Sequence, residues 1–171
     1  MKLLIIFTYL IITNFSYASE KPDIKNLVLI KNPKFYKDVV FKDINQKNID
    51  LDDFKGKLII LNFWATWCVP CKEEMPSLDK LQSNSNFSNL KIFPINIGQE
   101  NDSKLEFFFK ELNIKNLEIY IDAPITLAKK FALRGVPTTI LFNKQGKEFA
   151  RIMGSIDFNS EIFINWLKSY N

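Results

Sequence analysis

Residues 57–65, KLIILNFWA, are an almost unbroken apolar run of strand length. A strand without a polar face must be covered on both sides, as a central strand is when helices pack on both faces of its sheet. The rest of the chain then has to supply neighbouring strands and the helices that cover them. The run leads straight into FWATWCVPCKEEMP, residues 63–76, which holds the only two cysteines of the 171 residues, Cys68 and Cys71.

The pattern on either side fits that demand. VVFKDINQKNIDL, residues 39–51, predicts two short strands about the polar turn Asn45–Asn48, and LDDFKG a helical turn ended by Gly56. VPCKEEMPSLDKLQ, residues 69–82, has helical spacing, with Cys71, Met75, Leu78 and Leu81 along one side. A strand is expected over 90–98, a helix over 102–112 capped by Asp102 or Ser103, a strand over 117–122, and a helix over 124–133 opening on Pro124. Residues 135–154 read as a hairpin turning at Asn143–Gly146, and an amphipathic helix closes the chain from about Phe158 to Leu167. The expected fold class is therefore α/β: a mixed central sheet, mostly parallel with an antiparallel edge hairpin, flanked by helices. The cysteines fall at the carboxyl end of its central strand, where such sheets keep their active sites.

The first 18 residues combine Lys2, an apolar run from Leu3 to Ile12 and the small-residue step Ser16-Tyr17-Ala18, which reads as a secretory signal cut after Ala18. The competing reading is an uncleaved anchor, but Thr8, Thr13 and Asn14 interrupt the run, and a span needs roughly 20 apolar residues. Residues 19–34 are expected to be a spacer with one loosely docked apolar patch, Leu27–Ile30, and residues 35–171 one domain. A 47% hydrophobic, 14% aromatic composition suffices for its core. The net charge of +4 is too mild to argue for nucleic acid or an anionic membrane as partner. Lys129-Lys130 and Lys72-Glu73-Glu74 are expected on solvated helix faces.

Two cysteines three residues apart can be a structural disulfide, half of a metal site or a redox pair. A bridge over so short a loop constrains the unfolded chain little, so a purely structural role is the weaker reading. Zinc needs about four ligands, and two cysteines with no histidine in the chain do not supply them. The redox reading finds support in the flanks. With the helix starting at Val69 or Pro70, Cys68 sits at its N-terminus, where free N–H groups and the helix dipole favour a thiolate. Cys71 follows one turn on, and Pro70 fits the first helical turn because its missing N–H has no use there. Trp64 and Trp67 flank the site, at least one of them as core.

The block NFWATWCVPCKEEMPSL, with GVPTT downstream, resembles the thioredoxin superfamily and, within it, the extracytoplasmic TlpA/ResA-like thiol–disulfide oxidoreductases. The likeness runs from about Phe35 to the C-terminus. It implies a thioredoxin-like fold with Cys68 as the exposed nucleophile, Cys71 as the resolving cysteine and Pro137 as a cis-proline facing the disulfide. Trp67, Val69, Pro70, Val136 and Pro137 would then contact substrate, with Val136 offering backbone to an extended segment. Glu74 matches the acidic residue that ResA-like proteins place behind the cysteines; its plainer reading is a surface carboxylate. Asn62 stands where cytoplasmic thioredoxins have a buried acid, which would leave proton handling to Glu74. No cofactor is implied. The implied partners are protein disulfide substrates, such as apocytochrome c or a copper-site protein of cytochrome oxidase, and a membrane protein that returns electrons. The implied location is periplasmic or otherwise extracytoplasmic.

The pair could donate disulfides or remove them. Strong oxidants keep a very acidic nucleophile, often with histidine between the cysteines, whereas Val69-Pro70 intervene here and a carboxylate at Glu74 would disfavour the thiolate. Both features favour a reductant. VPTT at Val136–Thr139 departs from the APET of the cytochrome c maturation branch, which puts an apocytochrome substrate in doubt. A different class of function is a Cu(I)-handling module using Cys68 and Cys71 with Met75 or Met153, although methionines are also ordinary core residues. FFF at Phe107–Phe109 reads as core with one ring half exposed, or as a docking patch.

Overall fold

The computed structural model describes residues 21–171; the expected signal, residues 1–18, lies outside the described residues. The chain runs β1 (Leu27–Phe35), β2 (Val40–Asp43), β3 (Asn48–Asp50), a 3-10 turn (Leu51–Phe54), β4 (Leu58–Trp64), α1 (Val69–Gln82), β5 (Leu90–Asn96), α2 (Asp102–Glu111), β6 (Tyr120–Ile121), α3 (Leu127–Lys130), β7 (Thr138–Phe142), β8 (Lys147–Met153) and α4 (Glu161–Lys168). The strands form one sheet in the order β1-β8-β7-β4-β5-β6-β2-β3.

All of β4 is buried, which accounts for its unbroken apolar sequence. Because side chains alternate across a strand, Leu58, Ile60 and Trp64 enter one core while Ile59, Leu61 and Phe63 enter the other. The first core also takes Met75 and Leu78 of α1, Leu105 and Phe108 of α2, and Phe163 and Trp166 of α4. The second takes Leu127 of α3 with Phe131, Phe41 and Phe93. Each such side chain taken from water contributes roughly 1.5–3 kcal/mol. Asn62 falls on the Ile60–Trp64 face, toward α1, and that alternation alone sets it opposite the helix that carries the cysteines.

The α/β class and central position of β4 agree with the sequence pattern, but the sheet is not mostly parallel. Among the described residues, only β4–β5 and β5–β6 are parallel, and the other five pairings are antiparallel. Crossover helices return the chain between β4, β5 and β6, whereas the β2–β3 and β7–β8 hairpins and β1 add antiparallel neighbours. Residues 27–34, assigned above to the spacer, lie in β1 instead: Leu27 pairs with Ile152 and is fully enclosed. The strand expected over 117–122 shrinks to Tyr120–Ile121, because Leu117 N–H is taken by the Asp79 carboxylate rather than by a neighbouring strand.

Helix ends shift for reasons of capping. Asn101, one residue before the expected caps, accepts from Lys104 N–H and starts α2. Ser160 caps α4 by accepting from Phe163 N–H, so that helix begins later than Phe158. α3 covers only part of 124–133: the Asp122 carboxylate accepts from the N–H groups of Thr126, Leu127 and Ala128, and Ala132 at φ 50° ends the turn. The hairpin turn Asn143–Gly146 and the helical turn ended by Gly56 lie where the pattern places them.

Candidate active site

The chain leaves β4 at Trp64, turns through Ala65–Trp67 and enters α1 at Val69. Cys68 is the N-cap of α1, and its sulfur accepts from Cys71 N–H at 3.2 Å. The two cysteines are joined as a disulfide with Cα atoms 5.3 Å apart, a separation natural to the bond. Cys71 is fully buried. Cys68, expected to be exposed, is only 4% exposed, because its side chain turns inward to Cys71. The exposed surface here belongs to Trp67, Val69 and Pro70, so apolar groups ring the disulfide. Trp64 is core and stacks on Phe108 at 4.5 Å. Of the three phenylalanines on α2, Phe108 and Phe109 are buried and Phe107 projects into solvent.

Glu74 follows Cys71 by nearly one turn and is 2% exposed, not part of a solvated face with Lys72 and Glu73. Its Oε1 accepts from Asn62 Nδ2 at 2.8 Å, and its Oε2 has no formed hydrogen bond among the described residues. Burial pushes its pKa up to about 8, against smaller downward contributions from Asn62 and the Ile156 backbone. Asn62 Nδ2 also donates to Thr139 Oγ1 at 2.9 Å, across the register that pairs these residues on β4 and β7. Thr139 is missed by reasoning from sequence. Alternation along TTILF would have found it, since it faces the same side as Leu141. A cleft of about 320 Å³ is lined by Glu73, Glu74, Ser77, Ser155, Ile156 and Asp157. The arrangement can move a proton between bulk water and the interior beside Cys71 near neutral pH.

The Val136–Pro137 peptide is cis, as expected from the resemblance, and Pro137 is buried. The register pairing Phe63 with Thr138 brings Pro137 to the level of Trp64, at the end of β4 that feeds the cysteines. Pro137 carbonyl accepts from Gly154 N–H at 2.9 Å, while neither backbone group of Val136 is engaged among the described residues. A groove of about 580 Å³ opens here, lined in part by Leu133, Arg134, Val136, Pro137 and Met153. Met75, the other methionine of interest, is fully buried in the core that holds both cysteines.

Comparison with known proteins agrees with this geometry. Residues 33–147 match the family model described as the AhpC/TSA family. The chain is 35% identical over 115 residues to a protein named thiol-disulfide oxidoreductase ResA from Bacillus thuringiensis subsp. konkukian, covering 67% of this chain and 65% of that one. It is 32% identical over 117 residues to the ResA of Bacillus subtilis, covering 68% and 64%. The chain thus spans just under two thirds of the length of these relatives. Among solved structures it is similar to StoA from Bacillus subtilis, with TM-score 0.61, 24% identity and 87% and 98% of the two chains covered. It is also similar to a thioredoxin-family thiol:disulfide interchange protein from Chlorobium tepidum, with TM-score 0.68, 22% identity and 82% and 98% covered. The chain belongs to the AhpC/TSA family, and its fold is thioredoxin-like.

Proposed function

We propose that this protein is an extracytoplasmic thiol–disulfide oxidoreductase that reduces disulfides in specific protein substrates. One observation carries the reading: the only two cysteines close a disulfide at the N-terminus of α1, with a buried carboxyl poised near neutral pH less than one turn beyond. The relatives named ResA support it, as does the exported character read from residues 1–18.

With the pair reduced, the Cys68 thiolate attacks one sulfur of a substrate disulfide, and the substrate's other sulfur leaves as a thiolate. Helix N–H groups, including that of Cys71, stabilise the attacking charge. Glu74, once ionised by loss of its own proton to the cleft, takes the Cys71 proton, and the Cys71 thiolate attacks Cys68 Sγ in the mixed disulfide. The second substrate sulfur leaves and the Cys68–Cys71 bond forms, so two electrons have passed to the substrate. The proton on Glu74 leaves through the cleft beside it. Val136 backbone and the ring of Trp67, Val69 and Pro70 hold the extended substrate segment. A membrane electron donor restores the dithiol, and no cofactor takes part. The substrates fit thiols that must be kept reduced for metal or haem attachment, as in cytochrome c or cytochrome oxidase assembly.

The first test is the reduction potential of the pair against a thiol–disulfide buffer. A value near or below about −270 mV makes the protein a reductant, and one near about −120 mV reverses the direction of flow. Cys71→Ser is expected to trap a mixed disulfide with substrate in cells and Cys68→Ser to trap none; the opposite pattern would exchange their roles.

A further inference from the structure

The turn that carries Cys68 has few ties to the rest of the protein. Cys68 N–H donates to Ala65 carbonyl at 3.2 Å, closing the turn on itself, and Trp67 is 68% exposed. Among the described residues, one side chain from another element hydrogen-bonds to Ala65–Trp67. Glu100, in the loop between β5 and α2, accepts through Oε1 from Thr66 N–H at 3.1 Å and from the Thr66 hydroxyl.

That carboxylate is itself held by its loop. Ile97 N–H donates to Trp64 carbonyl at 3.0 Å, and Gly98 N–H donates to Asn96 Oδ1 at 2.9 Å. The Glu100 side chain then folds back over Gly98, so closely that a Cβ there would lie 2.1 Å from Oε2. The missing Cβ of Gly98 is the space the carboxylate fills. Oε2 is buried and, among the described residues, has no hydrogen-bond partner. Burial raises its pKa, but the Thr66 hydroxyl, nearby backbone N–H groups and the Asn96 amide outweigh this and hold it below the usual carboxylate range.

We infer that Glu100 is a positioning residue for Cys68: through Thr66 it fixes the turn before the nucleophile and sets a carboxylate on the residue two before it in the chain, making the dithiol a stronger reductant. The physical reason is that an anion near a thiol disfavours the thiolate and with it the reduced form of the pair. This inference rests on the oxidoreductase reading above. It assigns to the β5–α2 loop a role that neither the cysteines nor Glu74 perform.

Two variants take the charge away from Thr66 by different routes. Glu100→Gln keeps the shape and removes the charge; Gly98→Ala keeps the charge and drives it off Thr66. Neither alters the other charged groups near the turn, Lys72, Glu73 and Glu74 on α1 and Glu111, paired with Lys72, on α2. The equilibrium of each full-chain variant with a thiol–disulfide buffer is measured at pH 8.5, together with the pH midpoint of Cys68 alkylation in the reduced protein. Both variants are expected to shift the equilibrium about tenfold toward the dithiol, ~30 mV upward, and to lower the alkylation midpoint. A loosened turn alone would change alkylation rates without moving that midpoint. Unchanged potentials and midpoints in both variants overturn the inference while leaving the oxidoreductase reading intact. An unaltered protein whose cysteines do not exchange with the buffer sinks the oxidoreductase reading itself. Should Glu100→Gln not fold, Gly98→Ala and Thr66→Val, which removes the hydroxyl donor, decide the matter by the same two measurements.

Discussion

Helix α1 carries two buried carboxylates five residues apart, Glu74 and Asp79, and their surroundings could hardly differ more. Asp79 Oδ1 accepts from the N–H groups of Lys115, Asn116 and Leu117, and its Oδ2 from Asn116 Nδ2 at 2.9 Å. It staples α1 to the segment leading into β6. Among the described residues, Glu74 has one side-chain donor, Asn62, and an oxygen without a formed hydrogen bond. A carboxylate met by several backbone donors is a structural tie. One buried with few donors is held close to neutrality by desolvation, and its proton is available for chemistry. Burial alone does not distinguish the two; the number of donors does.

The largest expected effect lies at Glu74. Its folded pKa of about 8 lies above the ordinary 4.5, so between these values the folded protein keeps a proton that the unfolded chain has lost. Stability of the native protein should therefore be full below about pH 4.5 and fall by about 5 kcal/mol as the pH rises through 8. Glu74→Gln, which cannot ionise, should remove that slope. Urea melts from pH 4 to 9 would show the variant matching the native protein in acid and exceeding it in base. The same variant should resolve mixed disulfides at least about 100-fold more slowly, since the amide cannot accept the Cys71 proton. Equal slopes for both proteins would place Glu74 among the structural carboxylates.

Asp79→Ala comes next. It leaves three backbone N–H groups without their acceptor and should cost about 3 kcal/mol, read as a lower urea midpoint at an unchanged slope. Its reduction potential should equal that of the native protein. A shifted potential would show that the two carboxylates act together and would dissolve the contrast.

How much of this is legible in the chain depends on the range of the forces involved. The apolar run of β4, the N-terminal place of Cys68 on α1 and the side of the helix that Glu74 occupies follow from periods of two and 3.6 within a few residues. The depth of Glu74 does not, because its cover comes from Asn62 on β4 and from Ile156 beyond β8. Cys68 is sealed by its own bond, which helical spacing alone does not imply. Leu27–Ile30 reads as an isolated apolar patch until β8 is placed beside it, with Leu27 opposite Ile152. The early end of the 117–122 strand and the late start of α3 both trace to a distant or preceding carboxylate, Asp79 or Asp122, that takes backbone donors a local pattern assigns to strand or helix.

Asn62→Ala should give the smallest effect and the finest test of the contrast. It removes the side-chain donor that lowers the Glu74 pKa, and it leaves Thr139 Oγ1 without its β4 partner. Desolvation then acts with less opposition, so the Glu74 pKa moves above 8 and the falling limb of the stability profile extends to higher pH. A tenfold change in proton affinity corresponds to about 1.4 kcal/mol, and the lost buried hydrogen bond costs about 1 kcal/mol at any pH. In urea melts the two contributions separate, because only the first varies with pH. If the profile is lowered uniformly with its midpoint unmoved, Asn62 serves packing alone, and the Ile156 backbone is what restrains the carboxyl.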